Sequence, residues 1–314
     1  MSGIDRLEQK KSLKMEIRRR TAPGLALLVR LLLNSPIPAS WKRCLWRFAE
    51  TYISFLLRGG KATTRFGMQM QIRPSEIVQK HIFYFGYWEP NLTRIIRSSG
   101  ERDGIFVDIG ANIGYFSLLS SKYYKKTISI EASPKIYSML QNNISLNSIN
   151  NIRSVNKAIG AERGVLPFYI NMGSLGGSSL IEKKGSELEA EVAVSILTDF
   201  VSPDEMRCVS FIKVDVEGFD HIALRQIFEE HENMHANLRI ACEYDPSNPE
   251  LWPVVSEFIE TGFQVLLIQG PYDIDHYLRD HSRHELDEIT DAPDRFSDIL
   301  ISRSIKPGEE VSND

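Results

Sequence analysis

Three cysteines in 314 residues, Cys44, Cys208 and Cys242, are too few and too scattered for a disulfide framework, and no pair has metal-ligand spacing. Sparse, unpaired thiols fit a reducing compartment, so the expected location is cytoplasmic. None of the seven histidines falls in an H-E-x-x-H or similar pattern. A net charge of −4 lacks the positive excess of a general nucleic-acid binder. The most apolar stretch, residues 23–33 (PGLALLVRLLL), is too short to span a bilayer, and Arg30 interrupts it. It also fails as a secretory signal, because the basic region ahead of it is long and no small-residue cleavage site follows. Internal repeats are missing. A composition 42% apolar and 25% charged, with 20 Gly and 14 Pro, excludes disorder and fibrous repeats as the main organisation.

What is present is unevenly spread. Residues 1–43 carry ten Lys or Arg against Asp5, Glu8 and Glu16. That balance of about +7 leaves about −11 for the rest of the chain. Two expectations follow for this segment. One is an amphipathic helix packed on the body of the protein. The other is a basic arm that touches an anionic membrane surface.

From residue 104 short apolar runs alternate with helix-length segments. Strands are expected at 105–110, 127–133, 152–160, 165–170, 192–197, 210–218, 238–246, 263–270 and 297–303. Helices are expected at 114–123, 134–147, 219–231 and 250–261. Ser133 followed by Pro134 is a good N-cap with proline at the first helical position. Such alternation implies a mostly parallel sheet with helices on both faces. Residues 171–187 are rich in Gly and Ser and read as a loop, and residues 304–314 as a polar, disordered tail.

The sharpest local signal is F-V-D-I-G-A-N-I-G at residues 106–114, a glycine-marked turn between a strand and a helix. In an open α/β sheet that turn lies at the carboxyl end of the first strand, where ligands bind. A dinucleotide site asks for G-x-G-x-x-G, but here Asp108 stands where the first glycine would be. A pyrophosphate beside Asp108 would be repelled. A cofactor with an amino group and a sulfonium, such as S-adenosylmethionine, would be attracted. Glu131 ends the next strand, where an acid accepts hydrogen bonds from ribose hydroxyls.

With these residues in view the chain resembles the FkbM-type S-adenosylmethionine-dependent methyltransferases. The resemblance rests on D-I-G-A-N-I-G-Y-F-S-L from Asp108, E-A-S-P from Glu131, Asn142 with Asn147, the N-K-A-I-G stretch from Asn156, G-G-S-S-L at 176–180, I-K-V-D-V-E-G at 212–218, and Glu243. It covers roughly residues 78–245, supported upstream by F-G-Y-W-E-P at 85–90. It implies a class I, Rossmann-like methyltransferase fold with a mostly parallel seven-stranded sheet and helices on both faces, preceded by a helical extension. The implied division is a basic extension at 1–77, a methyltransferase domain at 78–303 and the tail at 304–314. It also implies methylation of a hydroxyl on a sugar, glycan or secondary metabolite. Asp220-His221 departs from the family's usual acid followed by an apolar residue, so His221 takes no role by analogy.

In that frame Gly110 and Gly114 make room for the cofactor, Asp108 meets its amino end and Asn112 orients either end. Glu131 takes the ribose, Ala132 and Ser133 flank sugar and adenine, and Lys157 with Ala158 lies at the adenine edge. Tyr87 and Glu89 either close the pocket or pack. For the chemistry, period-two alternation places Lys213, Asp215 and Glu217 on one side of a strand that should otherwise be apolar. Asp215 and Glu217 are expected to face the methyl and the acceptor; the alternative is a buried Lys–Asp pair with Glu217 capping a helix. Glu243 and Asp245 could join Asp215 in holding Mg²⁺, though solvated acids are the commoner outcome, so no metal is assigned. His81 sits among aromatics and reads as packed rather than as a base. Two alternative functions remain: an NAD-type oxidoreductase or epimerase, and a catalytically silent methyltransferase-like binding module.

Overall fold

The computed structural model describes residues 22–57, 59–171, 178–182, 185–268, 274–278 and 286–303. Parts of the 171–187 loop and all of the 304–314 tail lie outside them. The chain divides into two compact units, residues 1–88 with 272–279, and 89–271 with 280–314. The division falls after Trp88, and the aromatic run from His81 to Trp88 packs into the first unit.

The first unit opens with α1 (22–33), which buries Ala22, Ala26, Val29 and Leu33 at helical spacing. Arg30 donates to the Thr63 carbonyl at 2.9 Å and Asn34 to the Tyr84 carbonyl at 2.7 Å, so the helix is tied to its unit. Helix α2 (Ala39–Phe48) runs on through a π-turn, Ala49–Ile53, and a 3-10 turn, Ser54–Leu56. A hairpin of β1 (Gly60–Thr63) and β2 (Gln69–Ile72) leads to α3 (Ile77–Phe85). His81 on α3 packs among Trp46, Phe85, Trp88 and Tyr277. Burial lowers its pKa to about 4, so it is a neutral core residue, as its aromatic neighbours lead one to expect.

The second unit runs α4 (Pro90–Ser98), β3 (Ile105–Ile109), α5 (Tyr115–Ser120), β4 (Lys126–Ile130), α6 (Pro134–Leu146) and β5 (Ile152–Val155). Next come β6 (Ala158–Ile159), β7 (Gly164–Asn171), β8 (Ser186–Ser195), α7 (Leu197–Phe200) and α8 (Pro203–Met206). It continues with β9 (Val209–Val214), α9 (Asp220–Glu230), β10 (Arg239–Tyr244), α10 (Leu251–Glu260) and β11 (Gln264–Ile268). Helix α11 (Ile274–Leu278) belongs to the first unit, and β12 (Asp287–Glu288) and β13 (Ser297–Ser302) close the second.

Seven strands form the main sheet in the order β5-β4-β3-β9-β10-β13-β11, with the two-residue β12 paired beyond β11. The five from β5 to β10 are parallel. Strand β13 inserts antiparallel between β10 and β11. Strands β3 and β9 are buried along their whole length, which is why they read as apolar runs in which Asp108 and Lys213 stand out. Their core includes Val107, Ile109, Ile128, Ile212, Val214 and Ile240, covered by Leu224 and Ile227 of α9 and Val255 and Phe258 of α10. A smaller sheet, β6-β8-β7, stands apart.

Candidate active site

The turn after β3 is bound to the end of β4. Gly110 and Ala111 both donate to the Ile130 carbonyl, at 3.0 and 2.9 Å. The Asn112 amide donates to Glu131 Oε2 at 2.8 Å, and the Ser133 amide to Glu131 Oε1 at 2.9 Å. Glu131 is thus held by one backbone donor on each oxygen, with a second lone pair on each remaining. Burial raises its pKa to about 7, the two amides pulling the other way. Asn112 takes a left-handed φ of 50° and its side chain accepts from the Ile113 amide at 2.8 Å, so it shapes the turn locally. Gly114, with φ of 90°, is the N-cap of α5.

Asp108 is fully buried beneath the turn. Its Oδ2 accepts from Ser117 at 2.5 Å, Ser117 in turn accepts from Ser129 at 2.8 Å, and Lys213 Nζ stands 3.8 Å from Oδ1. Burial raises the Asp108 pKa against the pull of Lys213 and Ser117. Its Oδ1 is buried and accepts no hydrogen bond. Ser133 is also buried: it caps α6 through the Ile136 amide and donates to Glu189 Oε2 at 2.7 Å. The Ala132 carbonyl, with that of Glu131, accepts from Asn156, at 2.9 and 2.8 Å. Lys157 reaches Ser195 Oγ at 3.1 Å, and Ala158 pairs with Val194 in the small sheet, which turns both toward that sheet.

The second motif converges on the first. Lys213 is buried; its Nζ donates to the Gly110 carbonyl at 3.2 Å and to Asp215 Oδ2 at 3.0 Å. Burial works against its charge, but Asp215 and Asp108 more than offset this, raising its pKa. Half-buried Glu217 sits in the following turn with φ of 50°, its carbonyl accepting from Ser179 at 2.8 Å. Glu217 does not cap α9, whose N-cap is Phe219 with no side-chain cap bond; Asp220, the first residue of α9, accepts from the Val216 and Gly218 amides of the turn before it, both at 3.1 Å.

Glu89, Leu92, Lys213, Asp215, Glu243 and Asp298 line a small cleft at the ends of β9, β10 and β13. Glu243 and Asp298 are direct cross-strand partners. Burial, then Asp215 and Asp298, pushes the Glu243 pKa far up; burial and Asp215 raise that of Asp298. Both carboxyls are thus pushed toward their protonated form. Asp298 escapes sequence reasoning; its only signal is an acid in the otherwise apolar run D-I-L-I of the last strand. Asp245 instead holds a turn by accepting from the Ser247 amide at 2.8 Å. Among the described residues no three His, Cys, Asp or Glu side chains are grouped to hold a metal ion.

A sheet of this order and direction, with a glycine turn after its first strand and an acid ending the second, is the class I methyltransferase arrangement. The family model of the TRM5/TYW2 methyltransferase domain matches residues 75–164. Methyltransferase sdnD of Sordaria araneosa is 26% identical over 229 residues, covering 63% of this chain and 80% of the relative. Methyltransferase 1 of Beauveria bassiana is 30% identical over 159 residues, covering 43% of this chain and 63% of the relative. A crystal structure of methyltransferase FkbM from Methylobacillus flagellatus overlays at a TM-score of 0.40 and 15% identity, covering 64% of this chain and 44% of that one, too distant a likeness to bear on function. The chain is an S-adenosylmethionine-dependent methyltransferase. Its own geometry fits that cofactor: Glu131 keeps free lone pairs beside the turn, and Gly110 and Asn112 are only half-buried there.

Proposed function

We propose that this methyltransferase is of the FkbM type and methylates a hydroxyl oxygen of a small molecule or glycan in the cytoplasm. The observation that carries the reading is the acid-lined cleft beside the glycine turn, with Lys213 as its cation. A hydroxyl is a modest nucleophile and gains from a nearby proton acceptor. A row of carboxyls also suits an acceptor that presents several hydroxyls, because each can accept a hydrogen bond. The three free cysteines accord with a reducing compartment.

When bound, S-adenosylmethionine supplies a methyl group on a sulfonium, already a good leaving group. Glu131 holds the ribose through its remaining lone pairs. Lys213 stays charged and fixes Asp215 against the turn, so Asp215 orients the acceptor. Glu217, on its strained turn, takes the acceptor's proton. Alignment of this kind supplies about 7–11 kcal/mol of barrier reduction in well-oriented systems.

The test is incubation of the full chain with methyl-labelled S-adenosylmethionine and fractionated cell extract. Label should enter a small-molecule or glycan fraction and survive mild alkali, as an ether does. Label found in RNA, or in an alkali-labile ester, would overturn the reading.

A further inference from the structure

The first unit carries two apolar helix faces that its own core does not use. Helix α1 buries one stripe, Ala22, Ala26, Val29 and Leu33, yet its other face is leucine as well: Leu25, Leu27, Leu28 and Leu31 are exposed, Leu31 at 61%. A helix apolar all round belongs in a core or against lipid. Helix α2 and its continuation repeat the pattern. They bury Trp46, Ala49 and Ile53, and expose Trp41, Cys44, Phe48, Tyr52 and Phe55 at successive spacings of three, four, four and three. That spacing makes one stripe down one side. Trp41, 68% exposed, lines a shallow apolar groove with Ser40, Cys44, Leu45 and Phe48.

The chemistry around this surface says what covers it. Between Glu16 and Glu50 the sequence holds no acidic residue, while Arg18, Arg19, Arg20, Arg30, Lys42, Arg43 and Arg47 fall in the same span. Glu50 is itself paired with Lys80 at 2.9 Å. Tryptophan and tyrosine beside leucine, bordered by arginine and lysine, suit the boundary between headgroups and acyl chains. No helix among the described residues is long and apolar enough to cross a membrane. We propose that the leucine face of α1 and the aromatic stripe of α2 dock the protein on an anionic lipid surface, lying in the interface without spanning it.

Both charge and apolar contact are needed for stable peripheral attachment. The test is co-sedimentation of the full chain with vesicles of phosphatidylcholine alone, or of phosphatidylcholine and phosphatidylglycerol at two to one. Binding to the anionic vesicles should exceed binding to the neutral ones at least ~10-fold and fall steeply with salt. Leu27→Glu with Leu31→Glu should abolish it, as should Trp41→Ala with Phe48→Ala and Tyr52→Ala. Every altered side chain is solvent-exposed, so these variants should keep the wild-type melting temperature and its rise with S-adenosylhomocysteine. Brominated acyl chains should quench tryptophan emission in the wild type and much less in Trp41→Phe. Equal binding to both vesicles, or undiminished binding by the folded variants, would overturn the proposal. So would a lipid-free dimer in sedimentation velocity that the same substitutions dissociate, since a second copy would then be what covers the face.

Discussion

Gly110 and Asp215 are in backbone contact: a Cβ placed on Gly110 would stand 1.8 Å from the Asp215 carbonyl oxygen. The glycine turn after β3 and the acid row after β9 are thereby one construction. The Asp215 amide closes it by donating to the Ile109 carbonyl at 3.1 Å. Because the obstacle is backbone and φ is +79°, Gly110→Ala should cost at least ~3 kcal/mol or prevent folding. Gly114→Ala, also at positive φ, would meet only the end of the Leu140 side chain and should cost less. Urea unfolding of both variants checks this; equal loss would sink the argument.

Glu131 gives a pH signature. Its folded pKa of about 7 lies above its ordinary 4.5, so the folded protein holds this proton longer than the unfolded chain. Its contribution to stability is therefore lost as pH rises from 4.5 toward 7 and is level above that. Ribose hydroxyls need the ionised carboxylate, so S-adenosylhomocysteine should bind more tightly at pH 8 than at pH 6 and release a proton. Calorimetry in two buffers of different ionisation enthalpy reads that release. Glu131→Gln should weaken binding at least ~10-fold and flatten the pH slope. Full affinity in the variant would remove Glu131 from the cofactor site.

Lys213 is the cation between two carboxyls. Lys213→Met should destabilise by about 3–5 kcal/mol, since Asp108 is left buried without its counter-charge. Adding Asp108→Asn should restore part of the loss, because the uncompensated charge goes with it. A double variant no more stable than the single one would refute this pairing.

How much of this was legible in sequence depends on distance along the chain. The turn at 108–114 and the Ser133-Pro134 cap declare themselves within a few residues, and both form. Most strands from 105 onward were readable for the same reason, each a short apolar run between breakers, although 152–160 divides into β5 and β6 and the two-residue β12 gave no such signal. Asp108 was not: its burial depends on Ser117 and Ser129 arriving from α5 and β4. Ser133 reads equally well as a cap or as a sugar neighbour until Glu189, far along the chain, takes its hydroxyl. Asp298 faces Glu243 only because β13 inserts antiparallel, a register no local pattern contains.

That register has its own consequence. Burial raises the pKa of both Glu243 and Asp298, with Asp215 pushing on each and Asp298 on Glu243, so stability is lost as pH rises from their ordinary values of 4.5 and 3.8 toward the folded ones. Asp298→Asn should therefore stabilise the protein at pH 8, by about 1–2 kcal/mol, and change it little at pH 4. Melting curves at the two pH values decide; a variant less stable at pH 8 would show that the charge there is compensated.

Glu217 tests the proposed chemistry. Its backbone is held at φ of 50°, Ser179 binds its carbonyl, and Asp220 holds the amides on either side. Glu217→Gln should therefore leave the melting temperature and cofactor affinity near wild type, since the amide keeps the shape and loses only basicity. Turnover should drop by roughly 10²–10⁴ if this group accepts the acceptor's proton. Asp215→Asn should instead reduce both turnover and stability, because it also strips Lys213 of its 3.0 Å partner. Raising the pH should partly rescue Glu217→Gln, as hydroxide or an ionised acceptor replaces the missing base. If Glu217→Gln turns over at the wild-type rate while Asp215→Asn is inactive yet stable, the proton goes to Asp215 and the assignment moves two residues up the strand.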